Sequence, residues 1–370
     1  MKFDRNELAG AFGDIGTDFP LLVGMILAAG LDEASVLTTF GLMQILTGII
    51  YKLPMPVQPL KAMATIVIVQ KVPAAVLYGG GLAAGFLMLL LATFGLTEFI
   101  SKVIPKPVIR GIQLGLGLQL SQLALKEYVA GNGTSGYVLA IVGFAIALIS
   151  IGSRRLPAGL LLFSLAIIYC LVFAQGLEPR FGFTLPQMQI PTLDTVFVGL
   201  TLLALPQIPL SLANSILATR QAVEDLFPDR KLTVRQIALT YSLMNLATPF
   251  LGGVPVCHGC GGLAGHYAFG ARTGGSVIIY GTFFVIFGLF FAEGSAAFFK
   301  LFPLPILGIM LLFESLSLML LVRDCTDKTT DFALVLLVGL LAASLPYGYL
   351  VGMAVGYIVY KTGTLQNLAK

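Results

Sequence analysis

Two short stretches decide how this chain folds: Leu53-Pro54-Met55-Pro56-Val57-Gln58-Pro59-Leu60-Lys61-Ala62 and Gly252-Gly253-Val254-Pro255-Val256-Cys257-His258-Gly259-Cys260-Gly261. Each opens on proline-rich sequence unsuited to a helix interior, because proline lacks the N–H that a helix needs. Each then continues into an apolar run of about 12–15 residues, too few to cross a bilayer that requires about 20. Met55-Pro56 and Val254-Pro255 lie 199 positions apart. Ile104-Pro105-Lys106-Pro107-Val108-Ile109 and Phe302-Pro303-Leu304-Pro305-Ile306-Leu307 repeat the relation at 198. Two matched proline motifs at one offset read as a duplication.

The surrounding composition says where those stretches sit. Of 370 residues, 57% are hydrophobic and only 11% charged, against about 25% charged in a soluble domain. Mean hydropathy is +0.93. This is the composition of an integral membrane protein. Apolar segments lie near 7–30, 33–51, 56–70, 73–98, 105–124, 136–151, 156–175, 195–218, 233–251, 257–270, 274–292, 304–321, 331–344 and 347–361. The last two are separated by Leu345-Pro346-Tyr347-Gly348. Lipid offers the backbone no hydrogen-bond partners, so these segments are read as helices. The expected fold is an all-α polytopic membrane protein of about 14 transmembrane segments. Seven segments per half is an odd number, so the halves form inverted repeats, a hallmark of secondary transporters. Segments three and ten are half-helices preceded by short extended stretches.

Charge supports that count. With the N-terminus inside, seventeen of the 22 Lys and Arg residues fall in inner tails and loops, Arg154, Arg155 and Lys370 among them. Only Lys71, Lys126, Arg180 and Lys300 fall outside, and Lys61 lies within segment three. A missed span would scramble every later loop, so the asymmetry predicts a multi-pass protein of the cell membrane with both termini cytoplasmic. Net charge is +4 with no long basic run, which gives nucleic acid no footprint. Met1-Lys2-Phe3-Asp4-Arg5-Asn6-Glu7 leads into a segment with two aspartates, unlike a cleaved leader. No G-x-x-x-x-G-K-[ST] loop occurs, so no nucleotide hydrolysis is expected. Cys257-His258-Gly259-Cys260 has a metal or redox spacing. Structural zinc wants four ligands, and the repeat mate Gln58-Pro59-Leu60-Lys61 has no cysteine; no metal, cofactor or enzyme activity is expected.

The polar residues inside the apolar segments point to a site. Two half-helix N-termini near the bilayer midplane would each present free N–H groups and about half a positive charge to an anion. Lys61 could add a full charge, which together would suit a small dianion; its other reading is a snorkelling or ion-paired lysine. Asp14, Thr17 and Asp18 share one helical face of segment one, and Gln207, Ser211 and Asn214 form a polar stripe on segment eight. Intramembrane carboxylates mark a site or a proton relay by default. Asp18 is read as functional, and Asp14, between two glycines, as a cap or ion-pair partner. Glu314 in segment twelve reads equally as a buried acid or a coupling site.

The motifs Gly10-Ala11-Phe12-Gly13-Asp14-Ile15-Gly16-Thr17, Pro54-Met55-Pro56-Val57-Gln58-Pro59-Leu60-Lys61-Ala62, Pro206-Gln207-Ile208-Pro209-Leu210-Ser211-Leu212-Ala213-Asn214 and Pro255-Val256-Cys257-His258-Gly259-Cys260-Gly261-Gly262-Leu263-Ala264-Gly265-His266-Tyr267 resemble the molybdate transporter family, a branch related to the sulfate permeases. The resemblance covers essentially the whole chain. It implies a core domain (1–98 and 190–295) working against a gate domain (99–189 and 296–370), without the soluble C-terminal regulatory domain usual in sulfate permeases. It implies import of a tetrahedral oxyanion, molybdate first and sulfate or tungstate next, by alternating access with proton symport. The expected substrate contacts are Thr17, Gln58, Lys61, Gln207, Ser211, Asn214, Cys257, His258, Gly259, Cys260 and Gly261. Asp18, then Glu314 and Asp14, are the candidates for proton coupling. The bilayer is the expected partner, with a homodimer by fold-level analogy. An anion channel and a membrane thiol oxidoreductase are the rival readings.

Overall fold

In the computed structural model of the chain, the structure describes residues 1–150, 158–173, 181–291 and 301–364. Arg154, Arg155, Arg180, Lys300 and Lys370 of the orientation count lie outside them. In the first half, α1 (Arg5–Ala11) and α2 (Ile15–Ala29) are followed by α3 (Glu33–Tyr51), and β1 (Val57–Pro59) leads into α4 (Lys61–Gln70). Then come α5 (Ala74–Thr93), α6 (Leu96–Val103), α7 (Lys106–Gln122), α8 (Gly133–Ser150) and α9 (Ala158–Phe173). The second half begins with a continuous helix α10 (Leu193–Leu226) and α11 (Val234–Ala247), and β2 (Val256–His258) leads into α12 (Cys260–Ala268). It ends with α13 (Gly275–Phe290), α14 (Leu304–Leu320), α15 (Thr329–Ser344) and α16 (Gly348–Thr362).

A helix lies in every apolar segment read from the sequence. By length and composition, five described helices are long enough to cross a membrane alone, or six if the bent α1–α2 pair counts as one span. Exposed apolar side chains such as Ile149 (86% exposed) and Leu171 (79%) would be a liability in water and are at home against lipid.

Local chemistry sets several boundaries. The first segment is broken rather than continuous: α1 and α2 meet at 42°. Gly13 lies at the break, where a Cβ would come within 2.6 Å of the Gly265 backbone of α12. Asp32 caps α3 by accepting from Ser35 N at 2.8 Å, and Thr233 with Gln236 forms a capping box on α11. The break between α15 and α16 runs through Pro346 and a left-handed Tyr347, as expected. Two features escaped the sequence reading: the separate short helix α6, and the length of α10. In α10, wide π-helical turns (Leu200–Ala204 and Ser211–Ala218) flank Pro206 and Pro209. Each proline removes an N–H from the ladder, and the widened turns accommodate the loss.

The two extended stretches find each other. β1 and β2 pair antiparallel, with Val57 opposite His258, Gln58 opposite Cys257 and Pro59 opposite Val256. Each strand then needs a partner on its other edge, and an amide side chain supplies it. Gln44 of α3 donates to Val57 O (2.7 Å) and accepts from Val57 N (3.0 Å). Asn245 of α11 does the same for Val256 O (2.6 Å) and Val256 N (2.8 Å).

Helices α1–α5 pack mainly with α10–α13, and α7–α9 with α14–α16. The first group is joined to the second along α2–α14, α2–α9, α4–α7 and the contacts of α10 with α7 and α16.

Replacing Asn245 by leucine keeps the volume but leaves both polar groups of Val256 buried without their amide partner. At about 1–3 kcal/mol per orphaned group, Asn245→Leu should destabilise the protein by about 2–6 kcal/mol. Thermal unfolding in detergent measures it; an unchanged midpoint would show that the bracket does not hold the strand.

Candidate anion-binding site

Because the strands pair antiparallel, α4 and α12 leave the ladder from its opposite ends. The N-caps are Leu60 and Gly259, and neither offers a capping side chain. The two helix starts are nonetheless unequal. Gln207 Oε1 of α10 accepts from Ala62 N (3.0 Å) and Met63 N (3.1 Å), so the first turn of α4 is already capped from outside. Its Nε2 donates to Ser211 Oγ (3.1 Å), which pairs with Tyr241 Oη (2.9 Å). Two of the N–H groups that the sequence reading gave to the anion are therefore held by Gln207. Gln207 and Ser211 act here as a brace on α4.

Lys61, the first residue of α4, is only 3% exposed, and its Nζ lies 2.6 Å from Glu314 Oε1 of α14. Glu314, 15% exposed, reaches across from the second helix group to the start of both half-helices. A Cβ on Gly261, in the first turn of α12, would stand 3.8 Å from the same oxygen. A carboxylate thus sits where one ammonium and one helix start converge.

Asp14 stands at the N-cap of α2 but makes no capping bond, contrary to that part of the sequence expectation. Both its oxygens accept from Gln58 Nε2 at 2.8 Å. This pair lies against α12 so closely that a Cβ on Gly262 would collide with Asp14, and one on Gly259 with the Gln58 amide. Glycine at both positions lets the pair approach the helix start.

Asp18 is completely buried, and neither oxygen has a hydrogen-bond partner among the described residues. The Tyr280 hydroxyl of α13 is its polar neighbour. Thr17, one residue before, lines a cleft of about 210 Å³ with Gly13, Gly159, Phe313 and Glu314. Phe269, just past the end of α12, lies in the same cleft. A second cleft of about 340 Å³ runs beside Thr65, Val69 and Gln70 of α4, with Gln119 and Lys126 across from them. The Lys61–Glu314 pair borders the first of these clefts, which Glu314 lines.

Asn214 and Cys260 meet at the seam. Asn214 Oδ1 accepts from Gln113 Nε2 of α7 (3.0 Å) and from Cys260 Sγ (3.6 Å). Gln113 Oε1 in turn accepts from Arg110 Nη1 (2.9 Å), and Arg110 forks onto Asp324 (3.0 and 3.1 Å from Nε). Gln113, Arg110 and Asp324 had no signal in the sequence: Arg110 and Gln113 share α7, but their partners Asp324 and Asn214 lie on other segments and no spacing links them. Cys257 is buried in β2. His258 departs from the expected substrate contact: its ring nitrogens face Thr240 Oγ1 (2.8 Å) and Pro56 O (3.4 Å), and it packs edge-on against Tyr51. It holds β2 in place from behind. All four cysteines are free thiols, and no group of three or more His, Cys, Asp or Glu among the described residues could hold a metal.

A broken-helix pair enclosing a lysine and a carboxylate, in a mostly helical apolar frame, defines a multi-pass membrane protein whose fold is that of solved anion transporters. The transmembrane domain of a cyanobacterium bicarbonate transporter, BicA, superposes with a TM-score of 0.66 over 93% of this chain and 99% of that one, at 16% identity. Murine solute carrier 26 family member A9, an anion transporter in its inward-facing state, gives 0.70 over 98% of this chain and 69% of that one, at 12% identity.

Residues 6–120 and 199–318 match the family described as "Molybdate transporter of MFS superfamily", and the chain belongs to that family. It is similar to molybdate transporter 2 of Arabidopsis thaliana, 32% identical over 98% of this chain and 88% of that protein. It is likewise similar to molybdate transporter 1 of Chlamydomonas reinhardtii, 27% identical over 94% of this chain and 90% of that protein. The protein is a transporter and not an enzyme.

Removing one partner of the buried Lys61–Glu314 pair strands the other charge, at a cost of about 3–5 kcal/mol. Lys61→Met should show that loss in thermal unfolding, and Glu314→Leu added to it should restore most of it. Simple additivity of the two substitutions would mean that the pair is not formed.

Proposed function

We propose that the protein is a secondary active transporter that imports molybdate together with a proton. The observation that carries this reading is the convergence of Lys61, the uncapped start of α12 and a displaceable carboxylate at the edge of a cleft, in a member of the molybdate transporter family. The dianion takes the place of the Glu314 carboxylate at Lys61 and at the first N–H groups of α12, with Thr17, Asn214 and Cys260 at its edges. Sulfate and tungstate share that charge and shape and are the competing substrates.

The chain crosses the cell membrane about fourteen times as two inverted repeats, with both termini in the cytoplasm. The core, built on α1–α5 and α10–α13, moves against a gate built on α7–α9 and α14–α16. That motion opens the two seam clefts in turn. A channel would need one continuous open path, and the buried Lys61–Glu314 pair at the edge of the cleft favours a carrier.

Proton coupling follows from charge bookkeeping within the site. Lys61 faces three carboxylates: Glu314 holds it directly, Asp14 has the Gln58 amide, and Asp18 has nothing. An ionised carboxylate without donors is costly in a buried site, and a dianion nearby raises that cost. Asp18 therefore carries a proton when the anion is bound and gives it up once the anion has left.

The sign is fixed by that order. Because protonated Asp18 is the binding-competent form, lowering the pH through its titration should tighten molybdate binding, by up to about tenfold per pH unit for one proton taken up. Asp18→Asn, a permanent mimic of the protonated acid, should bind molybdate with little pH dependence and fail to accumulate it against a gradient. Calorimetry across pH on the purified protein, with uptake in vesicles, reads both. An Asp18→Asn protein that keeps the wild-type pH dependence would rule out this coupling residue.

A further inference from the structure

Among the described residues, the buried polar groups without a hydrogen-bond partner include three that neighbour one another in the first helix group: the Asp18 carboxylate, the Tyr280 hydroxyl and His266 Nε2. They are chemically complementary. Tyr280 O–H is a donor, whereas an ionised Asp18 and an unprotonated Nε2 are acceptors. All three residues are fully buried. The Tyr280 hydroxyl is the polar neighbour of Asp18, and the Tyr280 and His266 rings lie 6.1 Å apart, nearly perpendicular. Native interiors seldom leave such groups idle.

The trio also leads somewhere. His266 Nδ1 lies 3.2 Å from Ser276 Oγ. Ser276 Oγ is itself turned to Thr273 O at 3.5 Å, so the ring's hydrogen sits on Nδ1 and Nε2 is left as a bare acceptor. Ser276 N is held by Glu7 Oε2 at 3.0 Å, and the same carboxylate takes Arg272 N and Thr273 N at 2.9 Å each. Arg272 is exposed and Thr273 half-buried, so this end of the path reaches the surface of the α1–α12–α13 bundle. Asp18, Tyr280, His266 and Ser276 are all absent from the lining of both seam clefts.

We propose that Asp18, Tyr280, His266 and Ser276 form a proton path through the body of the core, separate from the anion's route along the seam. This rests on the proton-symport reading above. In the transfer, the Asp18 O–H bond breaks and a proton passes by way of the Tyr280 hydroxyl to His266 Nε2. The Nδ1 proton then moves to Ser276 Oγ, whose own proton leaves to water beside Thr273. The net change is one ionised Asp18 and one proton delivered to that side. The charged groups that face Asp18 are Asp14 on its own helix, Lys61 on α4 and Glu314 on α14. Arrival of the proton therefore depends on the anion site, whereas its exit does not.

Tyr280→Phe removes one hydroxyl and keeps the ring that packs edge-on against Phe12 and Phe284. His266→Gln removes the titrating ring. The test uses the full chain in liposomes with a pH dye inside, recording molybdate-driven proton entry alongside labelled molybdate uptake and molybdate–molybdate exchange. Exchange needs no net proton movement. Both variants should keep molybdate binding and exchange within about twofold, while coupled proton entry falls at least about tenfold, the scale of losing one proton-transfer group. Should His266→Gln fail to reconstitute, Tyr280→Phe decides alone. Wild-type proton entry in the variants overturns the path and leaves the symport reading standing. A parallel fall in binding, exchange and proton entry assigns these residues a structural role and also overturns it. No molybdate-driven proton entry in the wild type removes the symport reading and the path together.

Discussion

Everything at the centre of this protein depends on satisfying the backbone of two extended stretches where no water is available. A strand buried in an apolar frame exposes two rows of polar groups, and each orphan costs free energy comparable to a lost hydrogen bond. Here the strands satisfy one edge by pairing with each other, and Gln44 and Asn245 satisfy the other. That arrangement turns two helix starts toward one point. Without the amide brackets, α4 and α12 would have no fixed origin and Lys61 no fixed position.

The charges at that point are arranged on the same economy. One lysine serves three acids, and only Glu314 contacts it. Because Glu314 belongs to the second helix group and Lys61 to the first, their bond also ties the groups together. A second tie runs from Gln113 to Asn214, anchored through Arg110 to Asp324. Both ties are polar and join the two helix groups. Such contacts can be exchanged for contacts to a ligand at little net cost, whereas the glycine-lined contacts of α3 with α13 cannot. Cβ atoms at Gly41 or Gly48 would run into Gly281 or Gly274.

The polar residues of the core divide into those that build the site and those that face it. Gln207, Ser211, Gln58 and His258 have their hydrogen bonds directed to α4, Tyr241, Asp14 and Thr240. They hold the frame. Lys61, Glu314, Thr17 and Cys260 border the seam, and Asp18 is buried beside the Tyr280 hydroxyl.

The sequence by itself determined the membrane setting, the helical segments, the two broken half-helices and the face shared by Asp14 and Asp18. Each of these follows from what a residue does wherever it stands. Proline cannot donate, apolar runs avoid water, and positions four apart in a helix share a side. Only the tertiary structure decided who meets whom. Lys61 and Glu314 are 253 positions apart, Gln207 caps a helix 145 positions away, and the His258 ring is taken up by Thr240 and Tyr51. Hydrogen bonds and ion pairs act over about 3 Å, and distance along the chain carries no record of which side chains will be brought that close.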